Sequence, residues 1–216
     1  MSFLNTILNI VFPVNCLSCG KNGKDLCFNC LGTFTPAERE TAKWIFPLYD
    51  YRNPLIKKTI WLLKYKGKKR IAVIFAEVLY ERILEELSDL TPLENFRQPI
   101  LIPVPLSNKR KRERSYNQTE LICKEIIKLD KKNNLILEKN ILIKPKETEH
   151  QARIESRNKR LKNIIGSFEI KNLEKIKNKN VILIDDVTTT GATLFEAKKI
   201  LKQAGAKKII AFTIAH

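Results

Sequence analysis

Several things are missing from this 216-residue chain, and some of them remove a class of function. No run of apolar residues is long enough to cross a bilayer. The apolar start at Phe3, Leu4, Ile7, Leu8 and Val11 is interrupted by Asn5, Asn9 and Pro13 and lacks the basic lead of an export signal. It predicts instead a short amphipathic helix lying on its own protein, in a protein expected to be cytoplasmic with reduced thiols. There is also no G-x-x-x-x-G-K-[ST] anywhere, which argues against a P-loop ATPase. Internal repeats and low-complexity tails are absent too. Acid is the scarce charge: 23 Asp and Glu face 40 Lys and Arg, a formal +17. That excess is more than one small phosphorylated ligand requires, and it points to a polyanionic partner, nucleic acid first, or to a lysine-rich solvated surface.

What is present centres on Val181-Ile182-Leu183-Ile184-Asp185-Asp186-Val187-Thr188-Thr189-Thr190-Gly191-Ala192-Thr193. Four consecutive aliphatic residues predict a strand buried on both faces of a parallel sheet. Leu194, Phe195, Ala197, Ile200, Leu201 and Ala204 then recur at helical spacing, with Gly205 at the expected end. The small residues Thr188, Thr189, Thr190, Gly191, Ala192 and Thr193 therefore form a strand-to-helix loop. Backbone N–H groups and hydroxyls can converge there on a phosphate. Asp185 and Asp186 beside it would repel a phosphate unless they accept from sugar hydroxyls or hold a divalent cation. The ligand implied is a phosphorylated sugar with free hydroxyls. The competing reading is a buried strand followed by a threonine-rich turn without a ligand.

Cys16-x-x-Cys19 and Cys27-x-x-Cys30 present two thiolate pairs from tight turns within one short stretch. In a chain without an export signal this favours structural Zn²⁺ over two disulfides. The fifth cysteine, Cys123, sits on an apolar helical face and is expected in the core.

Elsewhere strands and helices alternate, which predicts an α/β fold with a mostly parallel sheet covered on both faces. Strands are expected over residues 44–51, 99–103, 140–145, 168–170 and 208–215. Helices are expected over 54–65, 71–87 and from about 119 onward, the first two for packing rather than for the site. Lys109, Arg110, Lys111, Arg112 and Arg114 make a cationic loop between a strand end and a helix start, placed to meet anions or to form a separate polyanion patch. Residues 146–166 are basic and weakly periodic, as a lid over a site would be. Within them His150 has no visible partner and suits a surface position.

The Asp185-Asp186 segment resembles the phosphoribosyl pyrophosphate (PRPP) binding motif of type I phosphoribosyltransferases. Over nearly its whole length the chain resembles the ComF family of competence-associated proteins. The match includes Pro13, the cysteine knuckles, Lys64-Tyr65-x-Gly67 and Pro103-Val104-Pro105-Leu106. It continues through Arg112-x-Arg114-x-Tyr116-Asn117-Gln118, Thr148-x-x-Gln151, Arg160-x-x-Asn163 and Phe168. Ser115 stands where the family usually has Gly, and the spacing from Gln151 to Arg160 is one residue longer.

The resemblance implies a type I phosphoribosyltransferase fold over residues 36–216, with a mobile hood over 146–168 and a four-cysteine zinc module over 1–35. It implies that Asp185 and Asp186 hold the ribose 2′ and 3′ hydroxyls while residues 188–193 hold the 5′-phosphate. Mg²⁺ with Arg112, Arg114 and Arg160 would stabilise departing pyrophosphate. No residue declares itself as a base for the incoming nucleophile, so the donor site is written and the acceptor site is not. Three functions follow. One is Mg²⁺-dependent phosphoribosyl transfer to an acceptor, with a role in DNA uptake. Another is a non-catalytic single-stranded DNA-binding factor that uses PRPP as a regulatory ligand. A third makes the zinc module a docking piece for other competence proteins, with no catalysis.

Overall fold

In the computed structural model, which describes residues 14–38, 42–147 and 164–216, a short cysteine-bearing start leads into alternating strands and helices. One turn of helix, α1 (Phe28–Leu31), lies within the second knuckle, with Cys27 before its first residue and Cys30 inside it. Then come β1 (Ile45–Tyr49), α2 (Pro54–Tyr65), α3 (Ile71–Glu94), β2 (Ile100–Pro103), α4 (Asn108–Arg114), α5 (Gln118–Leu129), β3 (Ile136–Leu137), β4 (Leu142–Ile143) and β5 (Glu169–Ile170). A 3₁₀ turn over Leu173–Lys175 precedes β6 (Val181–Val187), α6 (Ala192–Gln203) and β7 (Ile209–Ala215). The expected amphipathic helix near the start of the chain lies outside the described residues, as do Thr148, His150, Gln151, Arg160 and Asn163.

Five strands form one parallel sheet in the order β1-β7-β6-β2-β3. Alternation along β6 explains its burial. Ile182 and Ile184 join the core under α2, α3 and α5, with Ile60, Leu63, Phe75, Ile122 and Ile126. Val181 and Leu183 point to the other face, against Leu194, Ala197 and Leu201 of α6. Each such aliphatic side chain taken fully from water contributes about 1.5–3 kcal/mol, which is why this strand is fixed so firmly. All five strands end at the same edge, so residues following β2, β6 and β7 face one another there.

The cysteine-bearing start is packed on this body: Cys16, Leu26, Leu31 and Phe34 belong to the same buried cluster as Ile60, Leu63 and Phe75. Cys123 is fully buried, as its apolar face predicts. No described helix is long and apolar enough to cross a membrane.

Three local expectations are corrected. The cationic stretch after β2 is a helix, α4, rather than a loop. Its N-terminus is held by a carboxylate distant in sequence: Glu147 accepts from the Ser107 hydroxyl at 2.7 Å and the Lys109 N–H at 2.8 Å. The strand expected over 140–145 shrinks to β4 and pairs antiparallel with β5 outside the main sheet, because Pro145 cannot extend a ladder. The edge place beside β2 is taken by β3. The helix expected to stop at 87 runs to Glu94, and Asn95 closes it in the left-handed conformation, φ 49°.

Candidate functional site

At the carboxyl edge of the sheet a cavity of about 370 Å³ is lined by Asp185, Asp186, residues 187–194, Val104, Pro105, Leu106, Tyr51, Lys64, Arg110, Arg114, Gln118 and Lys144. The sequence-derived acids and the whole loop Thr188, Thr189, Thr190, Gly191, Ala192 and Thr193 are therefore brought together. The loop is anchored by the Thr188 N–H, which donates to Ala215 O at 2.9 Å. Gly191 adopts φ 74° as it enters α6 and brings no capping side chain of its own; the Ala192 N–H donates to Thr190 Oγ1 at 3.4 Å, and the positive end of the helix dipole lines the cavity. The Thr188 hydroxyl is buried without a hydrogen-bond partner among the described residues.

The two acids differ in surroundings. Asp185 accepts the N–H of Asp186 at 2.8 Å. Burial first, and the neighbouring Asp186 charge second, raise its carboxyl to about 7. Asp186 is compensated directly: Lys64 Nζ lies 2.7 Å from Oδ1, and Gln118 Nε2 donates to Oδ2. Gln118 Oε1 in turn accepts from Arg114 Nη1 at 3.0 Å, and Arg114 Nη2 donates to the Tyr65 hydroxyl at 3.0 Å. A hydrogen-bonded chain thus runs from the acid pair through Gln118 and Arg114 to the surface of α2.

Local structure explains how these groups arrive. Ser115, at φ 62°, makes the left-handed turn between α4 and α5, so a residue other than Gly takes the strained position at a cost of about 1–2 kcal/mol. Tyr116 ties that turn to α2 by donating its hydroxyl to Leu63 O. Asn117 caps α5 by accepting from the Thr119 N–H and reaches back with Nδ2 to Val104 O at 3.1 Å. The motif Tyr116-Asn117-Gln118 is accordingly two braces and one contact to the acids.

Arg114 lines the cavity, whereas Arg112 is exposed and is not among the lining residues. Arg160 is outside the described residues. Arg110, one helical turn before Arg114, occupies the wall instead. Three lining residues received no role from the sequence. Lys64 lies on a helix expected only to pack; its presence in the Lys64-Tyr65-x-Gly67 motif was the available signal. Gln118 sat in a quoted motif without an assigned partner. Lys144 follows β4, is 7% exposed, and is held down to about 8 by burial first and by the Arg110 charge second. A charged residue at the end of an apolar run was its only trace.

Away from this cavity, Cys16, Cys19, Cys27 and Cys30 place their sulfurs within 4.8 Å of one another. The Cys19 and Cys27 sulfurs are 3.8 Å apart, close to the edge of a tetrahedron with Zn–S bonds of about 2.3 Å. Burial acts to raise the Cys16 thiol, but N–H donors of Cys19, Cys27 and Ser18 outweigh it and bring it down to about 6, as a metal-binding thiolate needs. The donor set fits a structural zinc ion.

The chain is similar to known proteins. Residues 109–216, half of the chain, match the family described as "Phosphoribosyl transferase domain". The chain is 31% identical to "Competence protein ComFC" of Bacillus subtilis (strain 168), over 77% of its own length and 62% of that protein, so it spans less than two thirds of this relative. It is 29% identical to "Competence protein F" of Haemophilus influenzae, over 92% of this chain and 84% of that one. Identity to "DNA utilization protein YhgH" of Salmonella typhi is 25%, over 85% and 74% respectively.

Proposed function

Because the chain belongs to the phosphoribosyl transferase domain family and is of the ComF type of competence proteins, we propose that its sheet-edge cavity binds PRPP. One observation carries this reading: a helix-entry loop of small residues, an acid pair and four cationic side chains line a single cavity of about 370 Å³. The loop 188–193 suits the 5′-phosphate, the acids suit the ribose hydroxyls, and Arg110, Arg114 and Lys144 suit pyrophosphate. Mg²⁺ would come with the substrate; Asp185 and Asp186 would hold it, and it would supply charge neutralisation there.

Phosphoribosyl transfer breaks the bond from C1′ to pyrophosphate, leaving positive charge on the sugar and negative charge on the departing group. Cationic side chains held in a partly enclosed cavity stabilise that separation more than water does. Asp185 and Asp186 fix the ribose so that C1′ faces one direction of attack. Arg160 remains the candidate contributed by the hood, residues 146–168.

A second reading is favoured by the +17 charge and by relatives named for competence and DNA utilization. Here the protein binds single-stranded DNA non-catalytically, PRPP acts as a regulatory ligand, and competence proteins are its partners. In both readings residues 1–35 form a zinc module on a body of residues 36–216, and the reduced cysteines fit the cytoplasm.

Calorimetric titration with PRPP, with and without Mg²⁺, tests the common part. Binding should be lost in Asp185→Asn and Asp186→Asn; a wild-type protein that takes up no PRPP would sink both readings. Pyrophosphate release on addition of bases or DNA separates them, because only the transferase turns PRPP over.

A further inference from the structure

The outward face of α2 and the turn after it carry a pattern that the PRPP cavity does not use. Between Asp50 and Glu77 the chain has no acidic residue and eight Lys or Arg. The apolar side of α2, with Ile56, Ile60 and Leu63, is buried in the core. Its opposite side exposes Trp61 (46%) and Tyr65 (47%), four residues apart and so stacked along one stripe. Their ring centroids are 6.3 Å apart. Lys66 Nζ lies 5.2 Å from the Trp61 ring and Lys69 Nζ 5.0 Å from the Tyr116 ring. Lys57, Lys58, Lys66, Lys69 and Arg70 are exposed and form no ion pair among the described residues.

Single exposed aromatics are ordinary. Two neighbouring rings set among uncompensated cations are not a solvated helix face, and they match what an unpaired strand offers: π faces at regular intervals with a phosphate beside each. A membrane surface would need a wide apolar face, and α2 has turned its apolar side inward. A duplex keeps its bases stacked and would leave the rings without a partner.

We propose that the Trp61–Tyr65 stripe of α2, with Lys57, Lys66 and Lys69 along it, is a stacking platform for single-stranded nucleic acid. This rests on the DNA-binding half of the reading above and gives it a location other than the Arg110–Arg114 segment. The platform abuts the PRPP cavity, since the Tyr65 hydroxyl accepts from Arg114 Nη2 at 3.0 Å.

The test uses the full chain and labelled oligo-dT, read by fluorescence anisotropy, with PRPP titrated separately on the same preparations. Trp61→Ala should weaken oligo-dT about ten- to hundredfold, Trp61→Phe should bind nearly as wild type, and PRPP affinity should be the same in all three. In a Trp44→Phe background the remaining Trp61 emission should be quenched by oligo-dT. Affinity should fall steeply with salt. Equal oligo-dT binding by wild type and Trp61→Ala overturns the platform while leaving DNA binding intact. Trp61-dependent binding to phosphatidylglycerol vesicles with oligo-dT ignored overturns the platform and the DNA reading together. A wild type that binds no oligo-dT removes both the platform and the DNA reading, and leaves the PRPP titration to decide the rest.

Discussion

Lys64 Nζ lies 2.7 Å from Asp186 Oδ1, with 17% and 8% of the two side chains exposed. The last turn of α2 therefore delivers to the sheet edge the cation that balances one of two adjacent acids. Removing one partner of a buried pair leaves the other uncompensated, at about 3–5 kcal/mol. Lys64→Met should lower the urea midpoint accordingly. Combining it with Asp186→Asn should restore much of the loss, giving a favourable coupling in the double-mutant cycle. A single variant that unfolds at the wild-type midpoint would show that water already reaches Asp186.

Gly191 is required twice over. Its φ of 74° belongs to glycine, and a Cβ built there comes within 2.9 Å of Phe195 Cε2. The Phe195 ring is 44% exposed and can move; the backbone of the loop cannot. Gly191→Ala should cost about 1–2 kcal/mol in strain, seen as a Tm lower by a few degrees, and should lower PRPP affinity because the amides at the start of α6 are re-aimed. Adding Phe195→Ala should relieve the clash but not the φ strain. Full recovery of binding in that double variant would contradict this account.

Much of this arrangement is legible in the residues themselves, for local reasons. β6 announces itself by four aliphatic residues. The bounds of α2 follow from Asn53, which accepts from the N–H groups of Leu55 and Ile56, from Pro54 at the first helical position, and from Gly67 beyond the end. What is not legible depends on contacts distant in sequence. α4 has no apolar stripe to betray a helix; Glu147 holds its N-terminus from across the fold. Lys64 enters the site only because Tyr116 and Leu63 join α2 to the α4–α5 turn. Lys144 becomes a cavity residue because β4 leaves the sheet to pair with β5. Periodicity reports which face of an element is buried, and it is silent about which edge of the sheet a lone cation will reach.

The cysteine-bearing start shares its buried cluster with α2 and α3, through Leu26, Leu31 and Phe34. Metal loss should therefore destabilise the whole protein rather than fray one end. Elemental analysis should find one zinc per chain in the wild type and none in Cys19→Ser, whose exposed side chain leaves no core cavity when replaced. Tm should fall with the metal. Cys123→Ala, in the core and away from the cluster, should lower Tm while keeping its zinc. Zinc retained by Cys19→Ser would mean that the four sulfurs are not its ligands.

Lys144 makes PRPP binding depend on pH in a direction that can be worked out. Burial first, and the Arg110 charge second, bring its ammonium from the ordinary 10.5 down to about 8. Between those values the unfolded chain holds a proton that the folded chain does not. Folding stability from this group therefore rises with pH across the window, and below about 8 the cost of a buried charge is present in full. An anion in the cavity reverses the preference, since a phosphate oxygen near Nζ favours the charged form. PRPP binding above about pH 8 should thus take up a proton, and affinity should fall as pH rises from about 8 toward 10.5. Titrations at about pH 9 in two buffers of different ionisation enthalpy should report that uptake in the wild type and none in Lys144→Gln, whose affinity should be lower but flat over the same range. A wild-type affinity indifferent to pH there would mean that Lys144 does not meet the ligand.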